Sequence, residues 1–211
     1  MLEAQGGAVG GRLIGVSGHA RRAKAYRPLW AKRGLRRKVM VMDVLLTESE
    51  IARRVEALAV KIAPRTDDET VAICLLTGGI WFTADLTRAL ARQGRNLRFD
   101  ALWLSSYKDA RASSGRAQVR ADLQRPLEGG KALILDDVFD TGLSLSEAAR
   151  LVKDAGASEV LTCVFARKPW PTPRAIDPDF IGWEAPSRFL VGYGMDAAGQ
   201  MRTLPYIGAL D

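Results

Sequence analysis

The sequence predicts an α/β fold in which a parallel sheet is covered by helices on both faces. Two observations carry this. Apolar runs of strand length, VAICLL (71–76), KALILDD (131–137) and VLTCVFA (160–166), show no in–out alternation, so both faces of each strand should meet protein. Segments with apolar residues at helical spacing lie between them, and that alternation marks a sheet built from βαβ units. The chain has 211 residues, 47% hydrophobic and 26% charged, with 20 Gly and 9 Pro. This suits one globular domain, large enough to bury a core without disulfides or metals.

The elements follow in order. Residues 1–40 carry ten basic side chains and one acid, a net of +9, while the other 171 residues sum to −2. Twice-repeated Gly-Gly, clustered charge and little apolar period predict a disordered basic extension over 1–40 and a domain over 41–211. The extension reads as dispensable, or as a nucleic-acid-binding arm or transit peptide. Met40 and Met42 stand where the globular pattern begins, an alternative start of translation. Thr47 and Glu50 form a capping-box sequence, Ile51, Val55, Leu58 and Ile62 continue the helix, and Pro64 stops it. VAICLL is broken by Gly78-Gly79, and Phe82, Leu86 and Leu90 mark a helix ending near Gly94. LRFDALWLSS (97–106) reads as a strand, and the stretch 107–120 as polar with no apolar period. KALILDD leads into a helix with Leu145, Ala148, Ala149 and Val152 on one face and Gly156 as its stop. VLTCVFA follows. Residues 171–211, with strand-like DFIGW and RFLVGY, read as a small addition at one edge.

Several function classes are excluded or disfavoured. No run of about 18 apolar residues exists, so no transmembrane helix is expected, and the start lacks a signal core. Cys74 and Cys163 lie in apolar runs and read as buried thiols of a cytoplasmic protein. With a single histidine, His19, and no CxxC, a zinc site is not expected.

The chemistry-bearing segment is Leu133 to Ser144, LILDDVFDTGLS. Ligands of open α/β sheets bind beyond the carboxyl ends of strands. Asp136, Asp137 and Asp140 stand at such an end, and Thr141, Gly142, Leu143 and Ser144 open the next helix, where unpaired amides and a partial positive charge favour an anion. The spacing is neither a Walker loop nor a dinucleotide fingerprint. Acids beside a phosphate site need another task, either accepting from ribose hydroxyls or holding Mg²⁺. Helix capping alone accounts for one acid, not for three within five residues.

These residues resemble the ribose-phosphate motif of type I phosphoribosyltransferases, and the resemblance narrows to the hypoxanthine-guanine phosphoribosyltransferase family. It rests on LLTGGIWFTADLTRAL (75–90), SSYKDARASSG (105–115), the segment above, ARKP (166–169), DFIGWEAPSRFLVGYGMD (179–196), Arg202 and LPYIGAL (204–210). The resemblance spans residues 43–210. It implies a parallel-sheet core flanked by helices, a small hood from C- and N-terminal segments, and transfer of phosphoribose from phosphoribosyl pyrophosphate (PRPP) to hypoxanthine or guanine.

The implied roles are these. Asp136 and Asp137 bind the ribose hydroxyls, partly through Mg²⁺. Asp140 lies near purine N7 as general base. Residues 140–144 wrap the 5′-phosphate, and Gly78, Gly79 and Arg202 receive the pyrophosphate. Lys168 donates to the purine 6-oxo group, Phe189 stacks on the base and the Leu190 backbone meets its edge. Asp196 ligates Mg²⁺, and Ser106 and Tyr107 lead a mobile loop that excludes water. A dimer or tetramer is implied, with no membrane, and nucleic acid only as a partner of the basic extension. Trp183 suits an aromatic position of the family. One position departs: a lysine usually precedes the paired small residues, and here it is Thr77, which implies altered diphosphate affinity. Thr77 and the basic extension also motivate an alternative, a non-catalytic nucleotide-sensing regulator on the same fold.

Overall fold

A computed structural model describes residues 24–25, 41–104 and 118–210. The first long helix, α1 (Glu48–Ile62), starts where the sequence asks it to. The Thr47 hydroxyl accepts from the Glu50 N–H, and the Glu50 carboxylate accepts from the Thr47 N–H at 2.8 Å. The helix gives way to a 3₁₀ turn over Ala63–Arg65 at Pro64. Helix α2 (Ile80–Arg92) buries Phe82, Leu86 and Leu90, and α3 (Leu143–Asp154) buries Leu145, Ala148 and Val152. Gly156 ends the α3 region with a positive φ of 93°.

The main sheet joins β3 (Val71–Leu76), β4 (Arg98–Leu104), β5 (Val119–Ala121), β6 (Lys131–Phe139), β7 (Glu159–Arg167) and β8 (Phe180–Glu184). Its order is β5-β4-β3-β6-β7-β8, parallel throughout except for β5 at the edge. Alternate residues of β6 face opposite helix layers. Leu133 and Leu135 pack with α1 and α2, and Ala132 and Ile134 pack with α3. Both faces are therefore dry, as the non-alternating runs predict. β4 lies on one side of β3 and β6 on the other, so the strand order reverses between β3 and β6. At such a reversal the connections leave in opposite directions and open a crevice at the carboxyl edge.

A second, antiparallel sheet orders β1 (Lys24–Ala25), β2 (Val41–Leu46), β10 (Ile207–Leu210) and β9 (Phe189–Val191) as β1-β2-β10-β9. Here the structure refines the element reading. Residues 171–211 are not one addition: β8 extends the main sheet, while β9 and β10 build the second sheet with β2. β2 was not legible because Asp43 interrupts a short apolar run. β5 was not legible because all three of its residues are exposed and it lies at the end of a polar stretch. Of residues 1–40 only the Lys24–Ala25 pairing with β2 is described, and the expected disorder of that extension otherwise lies outside the described residues.

Both cysteines are buried and unpaired. Burial pushes the Cys74 thiol up to about 11 and the Cys163 thiol well above its ordinary value, which makes both poor nucleophiles. No helix among the described residues is long and apolar enough to cross a membrane.

Candidate active site

At the switch point lies a cleft of about 450 Å³. Its floor is the carboxyl end of β6. Asp137 is buried and Asp136 half-buried. Asp136 Oδ1 accepts the Asp137 N–H at 3.0 Å, and Asp137 Oδ1 accepts the Val138 N–H at 2.9 Å. Burial raises both carboxyls above the ordinary carboxylate range. The Asp137 charge raises Asp136 further, whereas a hydrogen bond from Asp136 and the charge of Arg202 restrain Asp137. The loop after β3 presses directly on this pair. A Cβ on Gly78 would sit 2.3 Å from the Asp137 Oδ2, so any other residue there would displace the Asp137 carboxylate. Gly78 and Thr77 line the cleft, and the Leu76–Thr77 peptide bond is cis.

Beside the acids the chain curls into a cup. Gly142 takes a left-handed conformation (φ 81°) at the N-cap of α3, with no side-chain capping bond. Among the described residues the amides of Thr141, Gly142 and Ser144 have no hydrogen-bond partner, and the Leu143 N–H makes only a 3.4 Å contact with the Thr141 hydroxyl. These are helix-start donors left open toward a cavity, an arrangement suited to an anion.

The third wall is the end of β7 and the loop after it. The Lys168 N–H donates to the Phe139 carbonyl at 3.0 Å, and its ammonium lies 3.6 Å from Asp140 Oδ2. Arg174 donates through Nε to the Asp140 carbonyl at 2.7 Å and through Nη2 to the Lys168 carbonyl at 2.5 Å. The fourth wall comes from the second sheet and its loops: Phe189, Leu190, Met195, Asp196 and Arg202. Arg202 pairs with Asp196 at 2.7 Å and also donates to the Gly194 carbonyl. Tyr193 anchors this wall. Its hydroxyl donates to Asp85 at 2.9 Å, and its ring packs edge-on at 5.0 Å against Phe165.

The comparisons decide the family. The phosphoribosyl transferase domain model matches residues 42–198. The hypoxanthine-guanine phosphoribosyltransferase of Bacillus subtilis is 36% identical over 171 residues, covering 81% of this chain and 93% of that one. That of Mycobacterium avium is 33% identical over 178 residues, covering 81% and 86%. The chain belongs to the hypoxanthine-guanine phosphoribosyltransferase family.

Solved structures agree with the fold. A Trypanosoma cruzi hypoxanthine phosphoribosyl transferase superposes with a TM-score of 0.75 at 29% identity, covering 84% of this chain and 95% of that one. A Staphylococcus aureus hypoxanthine phosphoribosyltransferase gives 0.72 at 28% identity, covering 80% and 92%.

Against this phosphoribosyltransferase frame, the cleft gathers Gly78, Asp136, Asp137, Asp140, Thr141, Gly142, Ser144, Lys168, Phe189, Leu190, Asp196 and Arg202. Two of the named positions stand back from it. Gly79 donates its N–H to the Leu75 carbonyl at 3.0 Å, and Leu143 turns outward, 38% exposed. Ser106 and Tyr107 lie outside the described residues, although Leu104 just before them lines the cleft. Sequence reasoning missed Arg174. Its partners are 34 and 6 residues away, and both accept through main-chain carbonyls, which leave no side-chain signature.

Proposed function

We propose that this phosphoribosyltransferase moves phosphoribose from PRPP to a 6-oxopurine, hypoxanthine or guanine, releasing pyrophosphate and IMP or GMP. One observation carries the reading: open amides at the start of α3, an acid pair on the floor, an Asp140–Lys168 pair and Phe189 all border a single cleft. A cleft of about 450 Å³ is of the size that takes small-molecule substrates.

The reaction breaks the C1–pyrophosphate bond and forms a C1–N bond to the base. The cup over 141–144 holds the 5′-phosphate, so the ribose is fixed at the end of β6. Asp136 and Asp137 accept from its hydroxyls. Phe189, 54% exposed on the rim, offers a ring face to the purine. Lys168 donates to a 6-oxo oxygen. A 6-amino group presents donors there and is rejected. Asp140 receives or steers the proton that the base loses. Arg202 draws charge onto the departing pyrophosphate.

The donor set fits Mg²⁺. Asp136 and Asp137 are hard oxygen donors that line the cleft. No cluster of three or more metal-ligating side chains is found among the described residues, but Mg²⁺ is usually held by one or two carboxylates together with substrate phosphates. Asp196 is the further candidate ligand. When bound, the ion would neutralise charge on the pyrophosphate.

A dimer or tetramer belongs to the same reading. Phe99 and Trp103 share one face of β4, while α2 packs over β3 and β6. They are 50% and 37% exposed and would suit burial against a second copy. A cytoplasmic location fits the two reduced, buried thiols.

The test is a panel of bases. Purified protein with PRPP and Mg²⁺ is expected to form nucleotide from hypoxanthine or guanine and little from adenine. No turnover of hypoxanthine, guanine or xanthine would overturn the reading.

A further inference from the structure

The structure assigns to Arg174 the role of a positioning residue that locks the phosphate cup to the base-selecting lysine. This deepens, and rests on, the reading under Proposed function. Arg174 arrives at the end of a loop stiffened by Pro169, Pro171 and Pro173. Its guanidinium Nε donates to the Asp140 carbonyl at 2.7 Å, and its Nη2 donates to the Lys168 carbonyl at 2.5 Å. The guanidinium lies over the Phe139 ring, with Cζ 4.5 Å from the centroid. The same ring supports Gly142, where a Cβ would meet ring carbons at 3.0 Å. One side chain thus fixes the strand end, the first residue of the cup and the residue that reads the 6-position.

The two carbonyls belong to loops, not to a buried ladder, and Asp140 is exposed. Water could satisfy such a carbonyl at little cost to folding. What water cannot do is hold two loops at a fixed separation. A planar fork can, because its donors point in set directions. A lysine keeps the charge but cannot reach both carbonyls in one plane while lying over the ring. The separation that Arg174 fixes is the one between the 5′-phosphate and the purine 6-position of a single bound nucleotide.

The experiment uses the full chain and its Arg174→Ala, Arg174→Lys, Lys168→Ala and Arg174→Ala/Lys168→Ala variants. Affinities for IMP and AMP are measured by calorimetry, with thermal unfolding of each variant alongside. Arg174→Ala and Arg174→Lys are each expected to cut the preference for IMP over AMP roughly tenfold, as the loss of aligned hydrogen bonds implies. Lys168→Ala should abolish the preference. Adding Arg174→Ala to it should then weaken both nucleotides equally without further change in preference. Arg174→Lys keeps the argument testable if the alanine variant unfolds. A wild-type preference retained by both Arg174 variants overturns the role, as does a loss of the same size in nucleotide preference whether or not Lys168 is present. A wild-type protein with no preference for IMP overturns instead the enzyme reading on which the role rests.

Discussion

Asp136 and Asp137 sit where a folded chain pays for function. Burial makes their charged forms costly, so the folded protein holds a proton more tightly than the unfolded chain does. Between the ordinary carboxylate value and the raised one, folding takes up protons, and stability therefore falls as pH rises through that window. Asp136→Asn removes this cost. Its melting temperature at neutral pH is expected to exceed that of the wild type by a few degrees, on the order of 1 kcal/mol. The gap should close below about pH 4, where the wild-type carboxyl is protonated in both states. PRPP binding should fall in the same variant. A variant less stable than wild type at neutral pH would contradict the electrostatic reading. These acids were legible because three in five residues after an apolar run exceed what capping requires. Arg174 was not, since its work is done through carbonyls of residues distant in sequence.

At the scale of elements, two helix starts show opposite uses of the same physics. The α1 start satisfies its own donors through Thr47 and Glu50, whereas the α3 start leaves its amides to the cleft. Thr47→Ala should lower stability by about 1 kcal/mol and leave kcat and KM unchanged, as chemical denaturation and steady-state assays would show. Gly142→Ala should do the reverse in emphasis. An L side chain resists a φ of 81° and would strike the Phe139 ring, so the cup should distort and KM for PRPP should rise by at least about tenfold. An unchanged KM would remove Gly142 from the phosphate cup. The helices and the buried strands were legible because their apolar periods agree with their packing. The short strands β2 and β5 were not: one draws its identity from partners late in the chain, and the other is exposed at a sheet edge.

For the whole molecule, the sheet order matters more than any single motif. The reversal between β3 and β6 opens the cleft, and the second sheet closes its far side with residues from β9 and the loop that follows. A sequence read from one end to the other shows alternating strands and helices, but not which strand neighbours which. The α/β class was therefore legible from local pattern, while the hood's composition from both chain ends was legible only through family resemblance. The exposed Phe99 and Trp103 belong to this scale too. The proposed dimer or tetramer predicts that Trp103→Glu shifts the mass toward monomer in light scattering, and an unchanged mass would move the interface elsewhere. The measurement that bears most directly on the proposed chemistry is single-turnover nucleotide formation by wild type and Asp140→Asn with PRPP already bound. The variant should bind PRPP within a few-fold of wild type yet form nucleotide at least about 100-fold more slowly. Nucleotide formation at near wild-type rate, or a loss fully explained by failure to bind PRPP, would contradict the role of Asp140 at the reacting base.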